Sequence, residues 1–410
     1  MKILYIVQHF SGPSGNSGSR PFENATRLAG MGHEVTVLCG TYDRMAQEDV
    51  AAAEALGVRM HVSPVWYGQG MSYIARLLAF RRFMRWAVRR GCSLPRPDVV
   101  FASSTPLTIG EVGRVVSAHH KCKFVFEVRD LWPEIPIVMG ALRNPVLRLA
   151  AGRMARRVYR AADRVVALST GMKAGVLAWG VPSDRVDVIS NCSDTESFGG
   201  AAHRDYVRAE RTWQDLFVCV HPGAMGRING LDYLLDAARV LDRRMRNDIL
   251  IAIIGDGVEK QHLESRIAGE SIHSAKIYES IRKSDMPDLL SAADAGIVTV
   301  ARLPGLEANS ANKFFDFLAA GLPVLVNYGG WQAEALQSSG AGLAVDPSDP
   351  ATLADALIAF RDDPERCRQM GLNARKLAED QYDRAKLVGQ LDAVLRLAAG
   401  LPCPEEALSV

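Results

Sequence analysis

Residues 306–331 read LEANSANKFFDFLAAGLPVLVNYGGW, and the period of the apolar residues changes halfway along. Phe314, Phe317 and Leu318 recur at helical spacing behind Asn309 and Ser310, two residues suited to cap a helix. Lys313 then falls in the first turn and Asp316 one turn further on. Gly321 stops the helix, Pro323 follows, and Val324–Val326 reads as a buried strand. Open amides at a helix start, with a lysine in the first turn, favour an anion. Asp316 is placed to accept hydrogen bonds from a neighbouring diol, so phosphate plus ribose is the ligand chemistry this stretch suggests.

Outward from there the same strand–helix alternation fills the chain. In the first half Ile3–Val7 and Val35–Leu38 are continuous apolar runs. Further strands are expected near 58–63, 98–102, 123–128 and 164–168, with helical patterns between them. That is the signature of parallel sheets covered by helices on both faces. The loop SGPSGNSGSR (Ser11–Arg20) follows the first strand and feeds a helix near Pro21–Ala29, at the strand end where ligands of such sheets bind. FEVRDLWPEIP (Phe126–Pro136) leaves another strand and projects Arg129, Asp130 and Glu134; charged clusters at strand ends are typical site material. Residues 191–216 are polar without periodicity, as a linker would be. A second series opens with FVCVHPGAMGRINGLDYLLDAA from Phe217. Its Gly223–Gly226–Gly230 spacing lets backbone approach a phosphate that Arg227 can meet with a planar donor fork. IAIIGDG (Ile251–Gly257) and AGIVTV (Ala295–Val300) continue that series. Two α/β domains with a ligand cleft between them are therefore expected.

Of the 410 residues, 48% are hydrophobic and 23% charged, an ordinary globular balance. Seven scattered cysteines form no C-x-x-C pair, which speaks against a zinc site or disulfide framework and for a reducing compartment. MKILYIVQHF reads as a first strand better than as a signal peptide, and no apolar run is long enough to span a bilayer. Net charge is +9 over residues 1–200 and −7 over 201–410. The basic half should prefer an anionic surface. Its most basic stretch, IARLLAFRRFMRWAVRR (Ile74–Arg90), carries six arginines and no acid. Ile74, Leu77, Leu78, Arg81, Met84 and Val88 share roughly one side of the expected helix. It reads either as a membrane-surface helix or as a crossover helix with a basic solvated face, and Leu142–Arg164 is a second basic stretch. No zinc finger, helix-turn-helix or aromatic RNA-binding motif accompanies the charge, so nucleic acid is not an expected partner. His119 and His120 are expected to end a helix rather than bind metal.

The opening GHEVTVL (Gly32–Leu38), then HPGAMGRINGLDYLL, IIGDG and NSANKFFDFLAAGLPVL, in this order, resemble the family-4 retaining glycosyltransferases of GT-B fold over nearly the whole chain. VRDLWPE and NSANKFFD are similar to a bacterial subgroup acting in O-antigen, capsule and exopolysaccharide assembly, including aminosugar (L-fucosamine transferase-like) enzymes. The resemblance implies two Rossmann-like parallel-sheet domains facing across a cleft. Residues 1–195 would bind the acceptor, 196–385 the nucleotide sugar, and a C-terminal helix in 386–410 would pack back on the first domain. The donor would be a nucleoside diphosphate sugar, UDP-linked by family precedent, with an N-acetylaminosugar as one candidate. The acceptor would be a polyprenyl-diphosphate-linked glycan or other polysaccharide precursor, used by an enzyme on the inner face of the cytoplasmic membrane.

By that resemblance Arg227 and Lys313 hold the diphosphate, and Asp316 matches the second acidic residue of the family's paired-glutamate motif, which takes the ribose hydroxyls. Gly226, Asn309, Ser310 and Asn312 complete the donor site, and Gly15 and Gly18 border the diphosphate. Glu307 and Glu134 are candidate sugar or acceptor contacts, as are the loops Leu303–Ser310 and Tyr328–Trp331. Asp130 and Arg129 join Arg227 and Lys313 as candidate catalytic groups. The chain departs from the family at three places. Ala308 stands where the first glutamate is usual, Asn229 near where a lysine is usual, and Arg129–Asp130 where many relatives have His-Asp. No D-x-D triplet occurs, so transfer with retention and without a metal or other cofactor is expected. Fixed cations aimed at the leaving diphosphate would supply the main stabilisation. A nucleotide-sugar 2-epimerase and a non-catalytic sugar-nucleotide scaffold remain as alternatives.

Overall fold

The computed structural model describes residues 1–15, 18–41, 45–67, 71, 73–198 and 203–403. The chain divides into two compact units, Met1–Ser190 together with the chain from Ala385 onward, and Asn191–Arg384. Each is built on one parallel sheet, because nearly every strand is a continuous apolar run that must be covered on both faces.

In the first unit the strands are β1 (Lys2–Ile6), β2 (Glu34–Thr41), β3 (Arg59–Trp66), β4 (Val99–Ser103), β5 (Lys123–Val128), β6 (Arg164–Ala167) and β7 (Val186–Val188). Their order is β3-β2-β1-β4-β5-β6-β7. Direction of winding reverses between β1 and β4, which opens a crevice at their carboxyl ends. At that crevice Glu127, fully buried at the end of β5, accepts from Arg20 Nε at 3.0 Å and Nη2 at 2.8 Å. Arg20 opens the helix Arg20–Gly30 and also donates to the carbonyls of Ser190 (2.6 Å) and Ile189 (3.1 Å). One guanidinium thus joins the helix after β1, the end of β5 and the last residues of the unit. The helix Arg384–Ala399 rests on the same unit through Asp392, whose Oδ1 lies 2.7 Å from His33 Nε2.

The basic helix runs from Tyr73 to Ser93. Its buried face is Ala79, Phe83, Ala87 and Gly91, whereas Leu77 and Leu78 are exposed. The apolar stripe expected through Leu77, Leu78 and Met84 is therefore shifted in phase; the side chain of Ile74 lies outside the described residues. Small alanines and Gly91, the latter against Val116, let this helix approach its neighbour closely, and the larger leucines are left outside. His119 and His120 do close the helix Thr108–His120.

The second unit has β8 (Phe217–Pro222), β9 (Ile249–Ile254), β10 (Ala275–Tyr278), β11 (Ala295–Val298), β12 (Val324–Val326) and β13 (Gly342–Ala344). Their order is β10-β9-β8-β11-β12-β13, so the switch point falls between β8 and β11. The stretch expected to be a linker belongs to this unit. It contains the helix Arg204–Arg211 and the fully buried Trp213. Arg208 donates to the carbonyls of Ala292 and Trp213, each at 2.7 Å, and to Asp294 at 3.1 Å. Its polar residues are spent on backbone carbonyls, which hides a packed segment behind a hydrophilic composition.

Arg20→Met leaves the Glu127 carboxylate buried without its cation, a change that costs about 3–5 kcal/mol. Burial pushes Glu127 up, but Arg20, Arg129 and Ser103 hold its pKa below the usual carboxylate range. Its contribution is therefore present above that range and lost as pH falls through the depressed value. Chemical denaturation at neutral pH should show the full loss in Arg20→Met.

Candidate functional site

The loops that leave β8, β9 and β11 interlock at the carboxyl end of the second sheet. Gly223 donates its amide to the Ile254 carbonyl at 2.8 Å, and Met225 donates to the Asp256 carbonyl at 2.8 Å. Such contact needs glycine on both sides. Gly255 has φ +156°, and a Cβ there would lie 1.9 Å from the Gly223 carbonyl oxygen. Ala301 donates to the Ile228 carbonyl at 2.8 Å, which fastens the chain after β11 to the turn Arg227–Asn229.

Lys313 comes up beside these loops from the first turn of the helix Asn312–Ala319. Its Nζ lies 2.7 Å from Nε2 of His221, a fully buried residue of β8. The other ring nitrogen, Nδ1, lies 3.0 Å from the Ile297 carbonyl, which can only accept. Nδ1 therefore carries the proton, and Nε2 is left as the acceptor for the lysine. Burial and the neighbouring Lys313 push His221 well below the ordinary imidazole value, so it stays neutral. Burial likewise lowers Lys313 to about 7. Across the loop Gly223 (φ +127°) leaves the space beside the amine empty; a Cβ there would sit 3.2 Å from Nζ. His221 was missed in the sequence because a lone histidine inside a strand run looks like core, although Lys313 and the glycine turn were both visible.

Around this pair the predicted donor residues divide. Gly226 and Arg227 lie in the loop after β8. The Arg227 side chain is 82% exposed and paired with Glu259 at 3.1 Å, so the guanidinium can reach a ligand only from that surface ion pair. Asn309 and Ser310 do not cap the helix, whose N-cap is Ala311 without a side-chain bond. Asn309 instead closes its own turn, its Nδ2 donating to the Leu306 carbonyl at 2.7 Å and its Oδ1 accepting from the Ala311 amide at 3.1 Å. Ser310 Oγ accepts from the Asn191 amide at 3.1 Å. Glu307 is exposed, and its backbone passes Gly330. Trp331 Nε1 donates to the Asn309 carbonyl at 2.9 Å, joining the two loops expected to meet a sugar. Asp316 is buried; Ser193 Oγ donates to its Oδ1 at 2.8 Å and Lys283 Nζ pairs with Oδ2. Both oxygens are thus engaged within the fold, by partners distant in sequence that no local motif reveals.

In the first unit the residues expected at the site fall after the carboxyl ends of strands, Gly15 and Gly18 after β1 and Arg129, Asp130 and Glu134 after β5. Arg129 donates its amide to Ser104 Oγ at 3.0 Å, and its charge acts on His9, Tyr5, Glu127 and Asp130. No ion pair joins Arg129 to Asp130 among the described residues. Asp130 is exposed at its surface, yet the protein around it raises its carboxyl to about 6 against the pull of Arg129. His9, unremarked in the sequence, is lowered to about 4 by burial and by Arg129, so it too is neutral. Glu134 accepts from Trp179 Nε1 at 3.0 Å, while its Oε2 is buried without a partner among the described residues. The glycine loop turns its amides inward. Gly12 and Ser14 donate to the buried Asp49 at 2.6 and 3.0 Å, and Gly15 donates to the Gly12 carbonyl at 3.2 Å. Gly18 follows Asn16 and Ser17, which lie outside the described residues.

An amine with a pKa of about 7 stands apart from surface lysines near 10.4. After reductive methylation with 13C-formaldehyde, the resonance lost in Lys313→Arg should titrate near neutrality. Titration of that resonance with the bulk lysines would contradict the burial.

The family described as Glycosyl transferase 4-like domain matches residues 18–192, and the family described as Glycosyl transferases group 1 matches residues 206–377. The D-inositol 3-phosphate glycosyltransferase of Streptomyces scabiei is 27% identical over 237 residues, covering 54% of this chain; the match spans 51% of that protein. WcaI of Escherichia coli K12, whose name places it among colanic acid biosynthesis glycosyl transferases, is 26% identical over 342 residues, 78% of this chain and 82% of that one. Anabaena HepE, solved in complex with UDP-glucose, superposes with a TM-score of 0.72 at 16% identity, covering 97% of this chain and 100% of that one. At that identity the likeness bears on the fold. The chain thus carries a Glycosyl transferase 4-like domain on its first parallel sheet and a Glycosyl transferases group 1 domain on its second, in the two-sheet architecture of the GT-B fold.

Proposed function

We propose that this protein moves a sugar from a nucleoside diphosphate sugar to a lipid-linked or other polysaccharide-precursor acceptor of the bacterial cell surface, with retention of configuration and without a metal. The observation that carries the reading is the Lys313 amine. It is held at the carboxyl end of the second sheet, beside a glycine turn, and among the described residues no carboxylate pairs with it. A partly dehydrated cation without a counter-charge is an anion site awaiting its anion. The leaving group of a nucleotide sugar develops charge on its β-phosphate as the glycosidic bond breaks. Lys313 and Arg227 meet that charge in this reading, and a phosphate oxygen takes the acceptor proton. Arg129 and Asp130 serve the acceptor or the sugar, Asp130 as a carboxylate above about pH 6. HepE with UDP-glucose supports a uridine nucleotide, and WcaI supports an acceptor in surface glycan assembly. An N-acetylaminosugar is the proposed cargo, from the VRDLWPE and NSANKFFD motifs.

Anionic lipid is the proposed resting surface. On the helix Pro145–Ala161, Val146, Leu149, Arg153, Arg156 and Arg160 recur every three or four residues and are all exposed. Val146 keeps 71% and Leu149 55% of its surface, so this end offers apolar side chains beside a row of guanidinium groups. Arg153→Glu with Arg156→Glu should weaken sedimentation with phosphatidylglycerol vesicles by about tenfold or more, at about 1 kcal/mol per basic residue. Unchanged sedimentation would remove this face from the account.

The function itself is tested by thermal shift with UDP, GDP, dTDP, CDP and ADP, each with and without magnesium. One nucleotide at 100 times its dissociation constant should stabilise the protein by about 2.7 kcal/mol without metal. In a transfer assay with the sugar nucleotide of that base, Lys313→Ala and Arg227→Ala should each lose about 10²–10³ in turnover. No shift with any nucleotide would overturn the reading.

A further inference from the structure

The lysine that carries the proposed donor site does not stand by itself. A lysine drawn out of water is ordinarily met by a carboxylate; here it is met by the unprotonated nitrogen of a buried imidazole. Ile297, through its carbonyl, fixes which nitrogen that is. The acidic side chain on the same helix, Asp316, faces Lys283 and Ser193 instead. Of the three N–H donors of a protonated Lys313, one is directed to His221, which leaves two for a ligand, and the absence of a Cβ at Gly223, which would lie 3.2 Å from Nζ, keeps room beside them. A carboxylate in place of His221 would hold the amine more strongly and cancel the charge on offer to a phosphate. A neutral acceptor aims the amine and leaves its charge uncancelled.

We propose that His221 is a positioning residue for the donor site, its buried Nε2 aiming the Lys313 amine past Gly223 at the diphosphate. This rests on the donor reading given above. It extends that reading by assigning to a core residue of β8, which touches no ligand, a share of the binding energy that acts through Lys313 alone. The Ile297 carbonyl is part of the device, since without it the ring can turn its protonated nitrogen to the lysine and repel it.

The test is a double-mutant cycle read by titration calorimetry with UDP and UDP-glucose. His221→Asn keeps a donor for Ile297 but ends short of the lysine; His221→Gln carries an acceptor to about the place of Nε2. Lys313→Met should weaken UDP binding by about tenfold or more, as the loss of a charge-assisted hydrogen bond does. His221→Asn should lose a similar factor, His221→Gln should stay within about threefold of the parent, and the double variant His221→Asn/Lys313→Met should bind no more weakly than Lys313→Met. Parent-like binding by His221→Asn, or losses that multiply in the double variant, would overturn the positioning role while leaving the donor reading intact. Parent-like binding by Lys313→Met would overturn both. If His221→Asn does not fold, His221→Met takes its place in the cycle, with the same outcomes deciding.

Discussion

Holding an amine partly away from water, with no carboxylate paired to it among the described residues, is unfavourable, and the second unit does so at Lys313. Lys313 is lowered to about 7 by that desolvation. The neighbours it touches are neutral, an imidazole acceptor and a glycine turn. Each depends on the parallel sheet, whose switch point between β8 and β11 brings His221, Ile297 and the glycine loops to the same end. A protein gains nothing in stability from such a group. On the proposed donor reading, the free energy withheld in folding would be returned when a diphosphate arrives.

The first unit solves a related problem in the opposite way. There the buried cation, Arg20, is fully paired, with Nε and Nη2 both donating to Oε1 of Glu127 and further bonds to two carbonyls. It serves to join three segments and offers no donor to a ligand. The glycine loop above it behaves similarly, because Asp49 already takes the amides of Gly12 and Ser14. Arg129 and Asp130, which form no ion pair with one another among the described residues, follow β5 rather than the loop that glycine content alone would select. Composition marks where a backbone can approach an anion; the hydrogen-bond inventory decides whether its amides are free to do so.

Most of the fold was legible because parallel strands with both faces covered announce themselves as unbroken apolar runs. Most strands of the seven-strand and six-strand sheets follow from those runs; the short β7, β10 and β13 do not. Legibility failed where tertiary partners override local pattern. Residues 203–216 look like linker because Arg204 and Arg208 satisfy carbonyls that only the folded unit brings near. The basic helix shows an obvious leucine stripe, but its packed face is the modest series Ala79, Phe83 and Ala87. Within the site, Lys313 and the Gly223 turn were readable from local chemistry. His221 and the engagement of Asp316 by Lys283 were not, since each depends on residues more than thirty positions apart.

The most direct measurement is a crystal structure of the protein with UDP bound. The account predicts a β-phosphate oxygen about 2.7–2.9 Å from Lys313 Nζ, the charge-assisted distance, with the amine still in contact with His221 Nε2. A diphosphate seated elsewhere, with Lys313 bonded to His221 alone, would contradict it.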